Sequence, residues 1–328
     1  MALTAAQNPM NPSEALVFFY SLREIEDKNG TKMLTNLGIQ RRSLHQGRDY
    51  EYRDFNIHNS PLREQPSGLA IGYYNGAPRV FGFSRADPSK QPEPNEDFIV
   101  TQVSPTWTPI NKVDGEYVKG KWLPPIAVIS DVAGDAAHVF YLAPTGTTGQ
   151  ASLVTYILDK NLPQFQTYDI KAVSTSMLAA VKNRKSGSRW VFFQSSESPE
   201  LIKYYDLETD TQTEISNIKC WANSPLAATH INLRDEGDMK EPLYLYYVHP
   251  NQRIVRVKYE YGQDVWRTSS ISQVNNRRVP AQHLWISVVP VDATRIDVFY
   301  FENSGELVQL SDDLTQTKPP TENFDDEE

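Results

Sequence analysis

The chain has 328 residues, a net charge of -9 and a pI near 5.3. An acidic surface without a basic stripe argues against a nucleic-acid partner, because phosphates must be met by Lys and Arg. A single cysteine, Cys220, excludes an intramolecular disulfide, so stability rests on the core and a reducing compartment, the cytoplasm, is expected.

From the N-terminus, MALTAAQNPMNPSEA lacks the basic and apolar segments of a secretory signal, and nothing later approaches the ~18 apolar residues of a membrane helix. No membrane association is therefore expected. An apolar-aromatic phrase then recurs along the chain: LVFFY at 16–20, IGYYN at 71–75, HVFYL at 138–142, WVFFQ at 190–194, YLYYV at 244–248 and DVFYF at 297–301. Successive starts lie 55, 67, 52, 54 and 53 residues apart, a period that means one structural unit used six times. The long interval is assigned to an insertion at 86–97, ADPSKQPEPNED. Leu3, Leu62, Ile126, Leu178, Leu226 and Leu284 each lead a short apolar or small-residue stretch, the expected first strand of each unit.

The fifth unit reads most clearly. Pro225–Ala228 is a short strand, 232–241 a polar loop and Leu243–Val248 a second strand. His249-Pro250-Asn251-Gln252 is a turn, Ile254–Tyr259 alternates apolar and basic residues as a third strand, and Val265–Thr268 begins a fourth. Four antiparallel strands repeated radially predict an all-β, six-bladed β-propeller over residues 1–315 as one domain. The final 316–328 is an acidic tail, expected to be disordered. Whether Leu3–Ala6 completes the first blade or the last is left open by the sequence.

The unit running from Met177-Leu178-Ala179-Ala180-Val181 through Arg189-Trp190-Val191-Phe192-Phe193-Gln194 to Leu201-Ile202-Lys203-Tyr204-Tyr205-Asp206 resembles the blade of fungal fucose-specific lectins. That blade reads approximately L-A-A-V, I-R-V-Y-Y-Q and N-x-I-x-E-x-x-W. The resemblance implies a six-bladed propeller in which an Arg before V-Y-Y and a Glu on the next strand hold a sugar. At the Arg position this chain is read as having Leu16, Ile71, His138, Trp190, Tyr244 and Asp297. At the Glu position it is read as having Gly82, Thr155, Lys203, Arg256 and Gln309. Neither member of the pair appears, and a bidentate guanidinium is not replaced by Leu or Trp. Ordinary fucose binding is therefore not expected.

No nucleophile elbow, phosphate-binding loop or zinc-protease motif occurs, and the six His have no metal-ligand spacing, so no metal and no cofactor are expected. Apolar and aromatic residues at the old sugar positions suit hydrophobic small molecules. The chain also resembles, in fold, size and lack of a secretion signal, fungal natural-product enzymes of lectin-like fold, the hetero-Diels–Alderases of tropolone sesquiterpenoid pathways. That resemblance implies a cofactor-free cycloaddition of an o-quinone methide with a terpene alkene. His138, Lys203, Tyr244 and Arg256 are the candidate donors, and Trp190, Asp297, Leu16, Ile71 and Trp285 the candidate substrate-binding residues. The competing expectation is a divergent carbohydrate-binding lectin, and a homodimer is left open.

Overall fold

The computed structural model describes residues 2–27, 30–44, 51–54, 68–85, 98–106, 108–110, 125–130, 136–145, 149–159, 164–183, 185–216, 218–231, 242–271, 285–302 and 305–315. Every regular element among them is a β-strand, and the strands form six sheets in which chain neighbours pair. Sheet 1 contains β1 (Leu3–Asn8), β2 (Asn11–Asp27), β3 (Gly30–Ser43) and β4 (Glu51–Asp54). Sheet 2 contains β5 (Ala70–Tyr74), β6 (Ala77–Arg85), β7 (Phe98–Ser104) and β8 (Thr108–Pro109). Sheet 3 contains β9 (Ile126–Ser130), β10 (Ala136–Pro144), β11 (Gln150–Asp159) and β12 (Gln164–Val173). Sheet 4 contains β13 (Ala179–Lys182), β14 (Arg189–Gln194), β15 (Ile202–Asp206) and β16 (Thr211–Glu214). Sheet 5 contains β17 (Leu226–His230), β18 (Leu243–Val248), β19 (Ile254–Glu260) and β20 (Val265–Ser270). Sheet 6 has three described strands, β21 (Ile286–Asp292), β22 (Arg295–Phe301) and β23 (Leu307–Asp313).

The chain divides into two compact units, residues 1–143 with 154–167, and residues 144–153 with 168–328. In the first, β5 neighbours both β1 and β9. Thr4 Oγ1 accepts from the Ile71 amide at 3.0 Å and Ser130 Oγ from the Tyr73 amide at 2.6 Å, joining the three strands. Phe81 and Phe83 of β6 pack there against Ile126, Val139, Tyr141, Val154 and Tyr156. Alternation explains this face, since every second residue of a strand points the same way.

In the second unit, β13 neighbours β17 and β17 neighbours β21. A serine at the entry to each of the first two strands repeats one device. Ser176 Oγ accepts from the Gln194 amide at 2.7 Å, and Ser224 Oγ from the Val248 amide at 2.8 Å. Each hydroxyl also donates to the next residue's carbonyl, Met177 or Pro225. The central strands are almost wholly apolar, because they are covered on both faces; all six residues of β18 are buried.

One expectation changes and one question closes. Leu3 pairs with Phe19 and Thr4 with Phe18, so the N-terminal strand completes the first sheet. The second copy of the phrase, IGYYN, lies on β5, the first strand of sheet 2. Asn75 and Gly76, with φ of 53° and 72°, turn the chain straight into β6, the two-residue Asn-Gly hairpin that favours a left-handed backbone. The second-strand phrase of sheet 2 is therefore Arg79-Val80-Phe81-Gly82-Phe83. Leu62, Leu284, the insertion at 86–97, the loop at 232–241 and the tail at 316–328 lie outside the described residues.

Candidate functional site

Register identifies equivalent positions without reference to sequence. The first residue of the phrase pairs with the first strand as Leu16 with Ala6, Arg79 with Gly72, His138 with Ile129, Trp190 with Val181, Tyr244 with Thr229 and Asp297 with Val289. The residue standing where the lectin blade has Arg in sheet 2 is thus Arg79, and Ile71 belongs to another position. Two residues on, the phrase pairs with the third strand as Phe18 with Ile39, Phe81 with Gln102, Phe192 with Tyr204, Tyr246 with Arg256 and Phe299 with Gln309. Lys203 faces Phe193 instead. It is one residue out of register with Arg256, which puts its side chain on the opposite face. Gly82 lies on the second strand and not the third. Among these third-strand partners none is Glu.

Five of the six first positions are occupied by groups that the protein itself engages or that carry no polar atom. Leu16 is half-buried and apolar. His138 is half-buried and stacks on Phe140, with ring centroids 6.4 Å apart. Trp190 is buried. Its Nε1 donates to Asp206 Oδ2 at 2.9 Å, it stacks on Tyr204 at 4.4 Å, and Tyr259 meets it edge-on at 5.2 Å. Trp266 closes the same cluster against Tyr259, so this position has become aromatic core shared by sheets 4 and 5.

Tyr244 is buried, and burial pushes its phenol up to about 12 while Arg256 pulls it down. Arg256 is itself 3% exposed and Nη1 reaches both oxygens of Asp312 at 2.9 Å. Tyr246 donates to the same carboxylate at 2.7 Å. Burial pushes the Asp312 carboxyl up, against the attraction of Arg256. Asp297, 1% exposed, accepts from Gln309 Nε2 and Ser311 Oγ, each at 2.7 Å. Burial raises its carboxyl above the ordinary value, and those two donors oppose the rise. Lys203 pairs with Glu197 at 3.0 Å, and Lys171 holds the other oxygen of that carboxylate at 2.7 Å. These two ammonium groups hold Glu197 down at about 2. Trp285 is half-buried just before β21.

Arg79 differs from all of these. It is half-buried, its Nε is buried without a hydrogen-bond partner, and the guanidinium makes no hydrogen bond or ion pair among the described residues. Alternation puts it on the face of β6 that carries Phe81 and Phe83, and hence beside the apolar cluster of sheets 2 and 3. Opposite it stands Gly72, which has no side chain. The partner position holds Gln102, whose amide donates to the Thr106 carbonyl at 3.1 Å and to Thr106 Oγ1 at 3.3 Å. Of the candidate donors, Tyr244 and Arg256 are brought together on one face of sheet 5, the guanidinium 5.9 Å from the Tyr244 ring centroid, whereas His138 lies on sheet 3 and Lys203 on sheet 4. No cluster of His, Cys, Asp and Glu suited to a metal occurs among the described residues. Among the described residues no helix is long and apolar enough to cross a membrane, which says nothing of strands.

No family model and no curated protein sequence matches the chain. Solved structures do. The chain is similar to the Aleuria aurantia lectin, a fungal lectin with a six-bladed β-propeller fold and a fucose recognition mode. The two share 12% identity over 94% of this chain and 90% of the lectin, with a TM-score of 0.60. Similarity to AofleA from Arthrobotrys oligospora is 13% identity over 94% and 82%, with a TM-score of 0.59. A protein of unknown function from Dyadobacter fermentans matches at 12% identity over 94% and 92%, with a TM-score of 0.57. These likenesses give the fold, an all-β, six-bladed β-propeller of three- and four-stranded blades.

Proposed function

We propose that the protein holds one small, largely apolar ligand at the Arg79 position of sheet 2, in place of the several equivalent sugar sites of a multivalent lectin. The observation that carries this reading is the contrast among the six copies. Trp190, Tyr244 and Asp297 are absorbed into the protein's own packing and pairing, whereas Arg79, beside an apolar wall, has no ion-pair partner among the described residues. Such a wall with one aimed donor suits a hydrophobic small molecule bearing an acceptor oxygen.

The chemistry we assign to that site is a cofactor-free cycloaddition of hetero-Diels–Alder type between an o-quinone methide and a terpene alkene. The Arg79 guanidinium donates to the heterodiene oxygen as charge develops there, and a fixed donor of this kind contributes about 10²–10³ in rate. Holding two apolar reactants in register supplies up to roughly 7–11 kcal/mol more. A cytoplasmic location belongs to the same reading, supported by the single buried thiol of Cys220. The test is turnover of a reactive o-quinone methide with a humulene-type alkene, compared with the reaction in buffer. The expected result is acceleration and one dominant stereoisomer, both reduced about 100-fold or more in Arg79→Met. Equal rates and product ratios with and without protein sink the reaction.

A second reading, a divergent carbohydrate-binding module, is favoured by one observation: Arg79 stands where the resembled lectins carry their sugar-reading Arg. It predicts saturable binding of methyl α-L-fucoside at one site per chain and no turnover.

A further inference from the structure

Arg79 is a cation whose expected counter-charge is missing. In the resembled blade a Glu on the third strand balances the Arg, but the register here puts neutral Gln102 at that place. The Gln102 amide is tied to Thr106. No ion pair to Arg79 exists among the described residues, and its Nε is shielded from water with nothing to donate to. A half-buried guanidinium in that state is under-solvated, because charge removed from water is stable only when paired. A neutral ketone returns one acceptor oxygen, and a neutral sugar returns hydroxyl and ring oxygens but no charge. A planar oxyanion returns two acceptors and the missing charge together, in the geometry to which a guanidinium is matched.

We infer that the ligand of the Arg79 site is an apolar-bodied monoanion, bearing one carboxylate or one ionised enol. This rests on the reading that Arg79 is the ligand position. It narrows that reading from any oxygen acceptor to an anionic one; an o-quinone methide that meets it carries an ionised hydroxyl of its own. The remaining contacts are supplied by the apolar side chains around Phe81 and Phe83, so affinity grows with the length of the hydrocarbon body. The Gln102 position acts as the specificity device: an acid there would pair internally with Arg79 and repel an anion.

The probes are hexanoate and its neutral isostere hexanamide, titrated calorimetrically into the full chain, with methyl α-L-fucoside alongside. Hexanoate is expected to bind at one site at least about tenfold more tightly than hexanamide. That preference should shrink as salt is raised from roughly 50 to 500 mM and vanish in Arg79→Met. Gln102→Glu should weaken hexanoate about tenfold while leaving near-ultraviolet circular dichroism unchanged. Equal binding of hexanoate and hexanamide, a preference that survives Arg79→Met, or stronger hexanoate binding in Gln102→Glu overturns the inference and leaves the Arg79 site itself standing. Failure of all three probes to bind the wild type at any salt overturns the inference and the single-site reading together. Since the comparison of the two probes is made on the wild-type chain, it does not depend on any variant folding.

Discussion

Gly72 lies directly across the β5–β6 hairpin from Arg79, and a Cβ built on Gly72 would stand 2.4 Å from Val128 Cγ1 and 2.9 Å from Ser130 Oγ. The close approach of β9 to β5 therefore demands glycine at that place. Gly72→Ala is expected to destabilise the fold by about 1–3 kcal/mol through overpacking. Adding Val128→Ala should recover a large part of that loss. Urea titration of the two variants checks this; an additive double variant would mean that the Val128 contact is not the cause.

The Arg256–Asp312 pair is buried on both sides, at 3% and 1% exposure. Removing one partner strands a buried charge, so Asp312→Ala should cost about 3–5 kcal/mol. Replacing both, Arg256→Met with Asp312→Leu, should cost much less than either single change, because no unpaired charge remains. Equal losses for the single and double variants would assign the effect to packing.

Burial raises the Asp297 carboxyl above its ordinary 3.8. The folded chain therefore binds that proton more tightly than the unfolded chain does. The resulting stabilisation is complete below about pH 4 and is lost as pH rises through the raised folded value. Measured as the difference in unfolding free energy between wild type and Asp297→Asn, it should decline from pH 3.5 upward and then level off. A difference that grows with pH would show that the Ser311 and Gln309 hydrogen bonds outweigh burial.

Cys220 is 1% exposed, and burial pushes its thiol up to about 12. It should not react with an aromatic disulfide reagent at pH 8 in native protein and should react fully in urea. Rapid native labelling would mean that the segment joining β16 to β17 opens readily.

The architecture was legible because burial on both faces forces an apolar-aromatic phrase on the second strand of each sheet. The fifth unit shows it best: Leu243–Val248 was read with its observed bounds. The candidate site was legible only where the phrase was aligned correctly. In the second unit IGYYN imitates the phrase, but the adjoining Asn75-Gly76 turn is the stronger local signal and shifts the true copy to Arg79–Phe83. Period-2 geometry makes a one-residue error consequential: Tyr204, and not its neighbour Lys203, is the counterpart of Arg256. The buried partnership of Arg256 with Asp312 spans 56 residues and has no local sequence signature. The same is true of the contact of Trp190 with Tyr259 and Trp266, a cross-strand pair of sheet 5 that Trp190 meets only where sheets 4 and 5 pack.

The central claim is that one position of six faces a ligand, and that its donor is Arg79. Side-chain Nε–Hε resonances of 15N-labelled arginine test it most directly, titrated separately with hexanoate and with methyl α-L-fucoside. The account predicts that one arginine signal, absent from Arg79→Lys, shifts in a saturable manner with a stoichiometry of one per chain. Saturation at several sites per chain, or an Arg79 signal unmoved by every ligand that binds, would contradict it.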